Sequence, residues 1–262
     1  MKFDMHCHTA EGSLDGKVKI EEYIRILRDN GFDGMLVTDH NSYNGYRFWQ
    51  RYMKGRRFRD FVVLRGIEYD TIDAGHILVI MPEKVFLPIL EFRGLPVLLL
   101  IHIVHKNGGI LGPAHPCGER YLSITNTGRH RHCLSVMEQF DFVETFNACE
   151  SAESNKRARN LAKQFRKPTF GGSDSHKPDC VGLAFTQFSE EIRSESDLIA
   201  LLRDRGRRAC ISGGSFYEGT TKQKIGRAND LLVQSFWFYN RVGSLLRRHK
   251  RMRELKKIRE KH

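Results

Sequence analysis

The 262-residue sequence predicts an α/β barrel, and three observations carry that prediction. Short apolar, strand-like runs alternate with segments whose apolar residues recur at helical spacing. Histidines and carboxylates gather where the apolar runs end, which is where a barrel of parallel strands presents functional side chains. The length suits a single barrel, which is routinely one domain at this size.

The elements follow in order. Lys2 to Met5 reads as a short buried strand, and the Asp15-Gly16 pair marks a turn in the loop from Thr9 to Gly16. Ile20, Tyr23, Ile24 and Leu27 recur at helical spacing within Val18 to Asn30, and Gly31 is the expected stop. Met35 to Val37 forms a second strand, Tyr43 to Met53 a short helix, and Phe61 to Ile67 a third strand. Only seven residues separate Glu68 from His76, too few for a parallel crossover. A hairpin is expected there, which places the end of the third strand and the start of the next, Ile77 to Met81, at one rim. Leu87 to Lys106 reads as a helix interrupted near Gly94-Leu95-Pro96. Strands are expected at Ile110–Ala114, Phe142–Phe146, Thr169–Gly172, Ala184–Phe188 and Arg207–Ile211, with helices at Ser151–Phe165 and Leu198–Arg205.

The chemistry begins at Met5-His6-Cys7-His8-Thr9. Residues i and i+2 of a strand point to one face, so His6 and His8 can grip one ion together. Further candidates follow at strand ends: Thr38-Asp39-His40, Gly66-Ile67-Glu68, His76, Ala114-His115-Pro116 and Gly172-Ser173-Asp174-Ser175-His176, with Asp15 in the first loop. Nine ligands are too many for one ion and suit two or three. Imidazole mixed with carboxylate suits Zn, Mn or Fe better than Ca or Mg, and a carboxylate such as Glu68 can bridge two ions. Close metals acidify bound water and stabilise a phosphoryl transition state, so hydrolysis by metal-bound hydroxide is the expected chemistry. His6, His8, Glu68, His115, Asp174 and His176 are the candidates for a direct part in catalysis.

These motifs, H-x-H-T, T-D-H, G-x-E, the single His76, A-H-P and G-S-D-S-H, occur in the order seen in the PHP (polymerase and histidinol phosphatase) family, which residues 1 to 212 resemble. The resemblance implies a distorted (β/α)7 barrel, a trinuclear metal site and phosphoesterase activity. It assigns His6, His8, Glu68 and Asp174 to a first metal, Glu68, His76 and His115 to a second, and Asp15, His40 and His176 to a third. One departure is Asn41, where many relatives carry Asp; an effect on substrate or on a ligand's surroundings is expected there. Asp39 reads equally as a carboxylate that orients a ligand or as a plain turn or capping residue, Glu144 and Asn147 at another strand end read as structural hydrogen-bonding residues rather than ligands, and His102 and His105 read as satisfied or exposed histidines on a helix.

The formal net charge of +12 is unevenly spread. Residues 222–262 carry 13 Lys/Arg against 3 Asp/Glu, a net +10, which leaves +2 for residues 1–221. The expected division is a catalytic barrel, 1–221, and a basic amphipathic helical extension, 222–262. That extension could contact nucleic acid or an anionic surface, or join a second subunit. Arg120, in the cation-rich loop after His115, and Lys177 are the candidate contacts for substrate phosphate. Six cysteines without a C-x-x-C pair read as reduced thiols, and with no signal-peptide pattern a cytoplasmic location is expected. The longest apolar run, Leu95 to Val104, is too short to span a bilayer. The expected substrate is a small phosphomonoester, a phosphorylated metabolite or nucleotide. The alternatives are an exonuclease-type phosphodiesterase on oligonucleotide ends, and a nucleic-acid or partner-binding protein with mainly structural metals.

Overall fold

The computed structural model describes residues 1–118, 122–127 and 134–221. Arg120, most of the cation-rich loop and the basic extension 222–262 therefore lie outside the described residues. All the elements belong to one unit of the chain, Met1–Glu218.

Nine strands are described: β1 (Lys2–Cys7), β2 (Gly34–Val37), β3 (Val62–Asp70), β4 (His76–Ile80), β5 (Ile110–Pro113), β6 (Val143–Asn147), β7 (Thr169–Gly172), β8 (Ala184–Phe188) and β9 (Cys210–Gly214). Five helices accompany them: α1 (Ile20–Asp29), α2 (Asn44–Tyr52), α3 (Val97–Lys106), α4 (Ala152–Gln164) and α5 (Glu195–Arg205). Seven strands form a curled sheet in the order β5-β4-β3-β2-β1-β8-β9, and β6 pairs with β7 in a second sheet. The small sheet borders the large one on both sides: Asp141 donates its N–H to Leu111 O at 2.8 Å beside β5, and Asp174 donates to His6 O at 2.9 Å beside β1.

This differs from a regular sevenfold β/α repeat. Three strand pairs are parallel, β1–β2, β2–β3 and β6–β7, and four are antiparallel, β1–β8, β3–β4, β4–β5 and β8–β9. The expected hairpin is one cause. Thr71–Gly75 is too short for a crossover, so β4 runs back along β3 with His76 opposite Asp70. Three boundaries also move. β3 continues to Asp70, past the expected end at Ile67. The segment Leu87–Lys106 splits into a 3-10 turn at Pro88–Glu91 and α3, because Pro96 is confined to the start of a helix. The last strand begins at Cys210, since Arg207 and Arg208 lie in a 3-10 turn after α5.

One core fills the concave face of the sheet. Leu36, Leu64, Leu78, Ile80, Phe142 and Phe170 meet Leu198, Ile199, Leu201 and Leu202 of α5 there. That helix starts at a capping box between Ser194 and Asp197. On the outside, α1 and α2 cover β1 to β3 through Tyr23, Ile24, Leu27 and Trp49, and α3 covers the β3–β4 side. The inner face is apolar at one end of the strands and changes to His and Asp/Glu at the other, and this change locates the site.

Candidate metal centre

Strand periodicity aims most of the ligands. On β3, Leu64, Gly66, Glu68 and Asp70 alternate on one face, so Glu68 and Asp70 continue the row begun by the core residue Leu64. Leu78 and His76 share a face of β4 in the same way. β1 needs a different device. Phe3 and Met5 face the inner core, which would aim His6 outward, but the β1–β2 register slips by one residue between Asp4 and Cys7. The extra residue is a bulge that turns His6 and His8 inward. Asn41, His115 and Asp174 have φ of 46°, 28° and 51°, so three residues at this rim hold left-handed backbone that non-glycine residues avoid.

Glu68 is the hub. It is 1% exposed, and five imidazoles surround it. Oε1 lies 2.9 Å from His76 Nδ1 and 3.1 Å from His115 Nε2. Oε2 lies 3.1 Å from His40 Nδ1, 3.2 Å from His8 Nε2 and 3.4 Å from His6 Nε2. Asp174 Oδ1 adds 3.2 Å to His8 Nε2 and 3.6 Å to His6 Nε2. Asp15 Oδ2 stands 3.8 Å from His40 Nε2 and 3.6 Å from His176 Nε2. Four triads could each hold an ion, with donor atoms within 4.8 Å of one another: His6-His8-Glu68, Glu68-His76-His115, His8-His40-His176 and His40-Asp70-His76.

The donor atoms fit divalent ions. Glu68 Oε2, His40 Nδ1, Asp70 Oδ1 and His176 Nε2 are buried and make no hydrogen bond, an arrangement that costs free energy unless a cation joins them. The His6 and His8 Nε2 atoms are 3.1 Å apart. Two ligands of one tetrahedral ion at about 2.0–2.1 Å would stand roughly 3.3 Å apart. The protonation pattern agrees. Burial raises the Glu68 carboxyl, but His76, His40 and His6 outweigh it and hold it well below the usual range. Burial disfavours a proton on His8, yet the adjacent Asp174 and Glu68 carboxylates push its pKa up to about 10.

Neighbouring groups aim the ligands. Glu144 Oε1 is 2.8 Å from His6 Nδ1, and Oε2 accepts the His115 N–H at 2.6 Å. Asn147 donates to Asp174 Oδ2 at 3.1 Å. Asp39 accepts from Thr9 N–H at 2.6 Å and from the Ser13 hydroxyl at 3.0 Å, and Ser13 Oγ lies 3.1 Å from His8 Nδ1. Asn41 donates to Asp70 Oδ2 at 2.7 Å and accepts the Asp70 N–H at 3.0 Å.

All nine candidate ligands thus stand in one cluster. The outermost side chains are those of His40 and His176, 22% and 26% exposed, which makes this the open side. Lys177 is half-buried next to His176. His105 lies away from the centre, 2.9 Å from Asp141. The described cysteines are free and buried, and Cys7 Sγ donates to Asp4 O at 3.3 Å. Asp70 was missed by the sequence reading, although its i+2 spacing from Glu68 was a signal for it.

Fold and cluster together define a mixed α/β protein with a histidine–carboxylate centre of metal-binding character at one rim of a curled sheet. A family model described as PHP-associated matches residues 152–206, from α4 to the end of α5. The solved structure of PsfC from Pseudomonas syringae is similar with a TM-score of 0.59 at 16% identity, over 92% of this chain and 98% of that one. Endonuclease Q, solved with a 27-mer duplex substrate carrying an abasic lesion, is similar with a TM-score of 0.58 at 15% identity, over 78% of this chain and 57% of that one. A two-domain protein from Bacteroides vulgatus, described as containing a predicted PHP-like metal-dependent phosphoesterase, is similar with a TM-score of 0.53 at 17% identity, over 82% of this chain and 65% of that one. No curated protein matches the sequence. The family match over residues 152–206 and the shared fold support the PHP-domain resemblance.

Proposed function

We propose that this chain is a metal-dependent phosphoesterase that hydrolyses a small phosphomonoester, a phosphorylated metabolite or a nucleotide. The observation that carries the reading is Glu68, one buried carboxylate with five imidazoles within 3.4 Å. On this reading two to three Mn, Zn or Fe ions are held by the sets His6-His8-Glu68-Asp174, Glu68-His76-His115 and Asp15-His40-His176. Bound there, such ions polarise a phosphoryl oxygen and acidify water. The chain's own part is to fix the donors. Glu144 orients His6 and backs His115, Asn147 holds Asp174, and the half-exposed His40 and His176 leave that side open to a phosphate. β6 and β7 would complete the barrel that the curled sheet begins.

A second reading, a phosphodiesterase on oligonucleotide ends, is favoured by the net +10 of residues 222–262 and by the fold shared with Endonuclease Q. The test is elemental analysis of the purified chain with a phosphate-release screen over sugar phosphates, nucleotides, histidinol phosphate and short oligonucleotides. Two to three Mn, Fe or Zn per chain with turnover of one phosphomonoester supports the first reading, and turnover confined to oligonucleotides supports the second. A fully metallated chain that hydrolyses none of them overturns both and leaves a binding protein with structural metals. A chain that takes up no metal when Mn, Fe and Zn are supplied overturns the metal-centred reading itself.

A further inference from the structure

Asp70 stands apart from the nine residues that the motifs single out. It ends β3, is 2% exposed, and follows Glu68 by two residues on the same face. Its two oxygens are used differently. Oδ2 is engaged from the protein side: Asn41 donates to it at 2.7 Å, and Arg93 forms its ion pair with the same oxygen. Oδ1 is buried, accepts no hydrogen bond and faces two imidazoles, His76 Nε2 at 3.2 Å and His40 Nδ1 at 3.5 Å. If Asp70 existed only to neutralise Arg93, a two-oxygen fork would be the favoured geometry. Here both partners crowd one oxygen, and the other points into the histidine cluster. Asn41 holds this arrangement from both sides, because its amide oxygen also accepts the Asp70 N–H at 3.0 Å. It does so from a left-handed backbone with φ 46°.

We propose that Asp70 is itself a metal ligand, with Oδ1, His40 Nδ1 and His76 Nε2 as the donors of one coordination position on the β2–β3–β4 side of the centre. Asn41 and Arg93 are the positioning residues that aim it. Two imidazoles and one carboxylate suit Zn, Mn or Fe(II), as the rest of the centre does. His40 Nδ1 also faces Glu68 Oε2, whereas His76 turns Nδ1 to Glu68 and Nε2 to Asp70, so its ring stands between the two carboxylates. The inference rests on the metal-dependent reading above, and its test separates the two.

The experiment compares wild type, Asp70→Asn, Asp70→Cys and Asp70→Ala in the full chain, with folding checked by circular dichroism and metal uptake followed by Mn2+ and Co2+ titration. Asn keeps an oxygen that accepts from an imidazole N–H but lacks the charge of a ligand, so a residue that only orients His76 tolerates it. The expected result is that Asp70→Asn weakens Mn2+ binding at one position by about tenfold or more. In the same series, Co2+-loaded Asp70→Cys gains a thiolate-to-cobalt charge-transfer band that wild type and Asp70→Ala lack. A folded, cobalt-loaded Asp70→Cys without that band overturns the inference. Where the cysteine variant does not fold, Asp70→Asn decides, and Mn2+ affinity equal to wild type overturns it. In either case the metal-dependent reading survives while wild type binds the ions, and it fails with the inference only if wild type binds none.

Discussion

Glu144 illustrates how a residue outside the ligand set can govern it. Its two oxygens lie 2.8 Å from His6 Nδ1 and 2.6 Å from the His115 backbone nitrogen, so it sets one ring's tautomer and another residue's backbone. Glu144→Gln replaces an acceptor oxygen by a donor NH2 against one of these partners. Metal affinity should fall by about 10- to 100-fold, the usual cost of losing a group that orients a ligand, as measured by Mn2+ titration. The histidines also predict a pH dependence of two opposite signs. Burial works against protons on His8 and His115, but their carboxylate partners raise them from 6.5 to about 10 and about 9. Folded values above the unfolded one mean that this stabilisation is complete below about pH 6.5 and is lost as pH rises through 9 to 10. The chelator-treated chain should therefore melt at a lower temperature at pH 10 than at pH 6.5. Metal competes with the same protons, so affinity should rise with pH over that window. Calorimetry in two buffers of different ionisation enthalpy should report proton release on loading.

At the scale of elements, the bulge in β1 and the packing of β7 against it bring His6 and Asp174 together. Gly172 is where β7 comes closest: a Cβ there would stand 2.3 Å from His6 Cβ and 2.5 Å from His6 N. Backbone cannot yield as a flexible side-chain tip can. Gly172→Ala should cost about 1–3 kcal/mol or more in a denaturant titration, and should weaken metal binding because the strain falls on the ligand strand. Ser194→Ala at the cap of α5 is the contrasting case. It removes the hydrogen bond from Asp197 N and should cost about 1 kcal/mol with metal affinity unchanged, since α5 packs on the apolar core.

For the molecule as a whole, the centre ties together elements that are distant in sequence. Its candidate ligands come from β1, β3, β4 and the segments after β1, β2, β5 and β7, so bound ions would act as staples across the curled sheet. Folding and loading are then coupled: at free metal about 100-fold above Kd, each ion adds about 2.7 kcal/mol to stability. Chelation should lower the melting temperature of the purified chain, and Mn2+ should restore it in a concentration-dependent way. A chain whose melting temperature ignores both treatments has no metal-coupled fold. Among the described residues no helix is long and apolar enough to cross a membrane.

The sequence by itself determined the element types, the β3–β4 hairpin and a cluster of nine ligand-type side chains. Short-range physics is enough for these. Period 2 and period 3.6 patterns are local, seven residues cannot make a crossover, and each motif sits at the end of its own apolar run. Only the tertiary structure decided the rest. Strand direction in β8 and β9, the partial β6–β7 sheet and the inward turn of His6 depend on pairing between distant segments, and the β1 bulge has no local signature in Phe3-Asp4-Met5-His6. Asp70 was within reach of the alternation that found Glu68. What separates it from an ordinary strand-end carboxylate is the company of Asn41, His40, His76 and Arg93, drawn from three segments that meet it only in the folded chain.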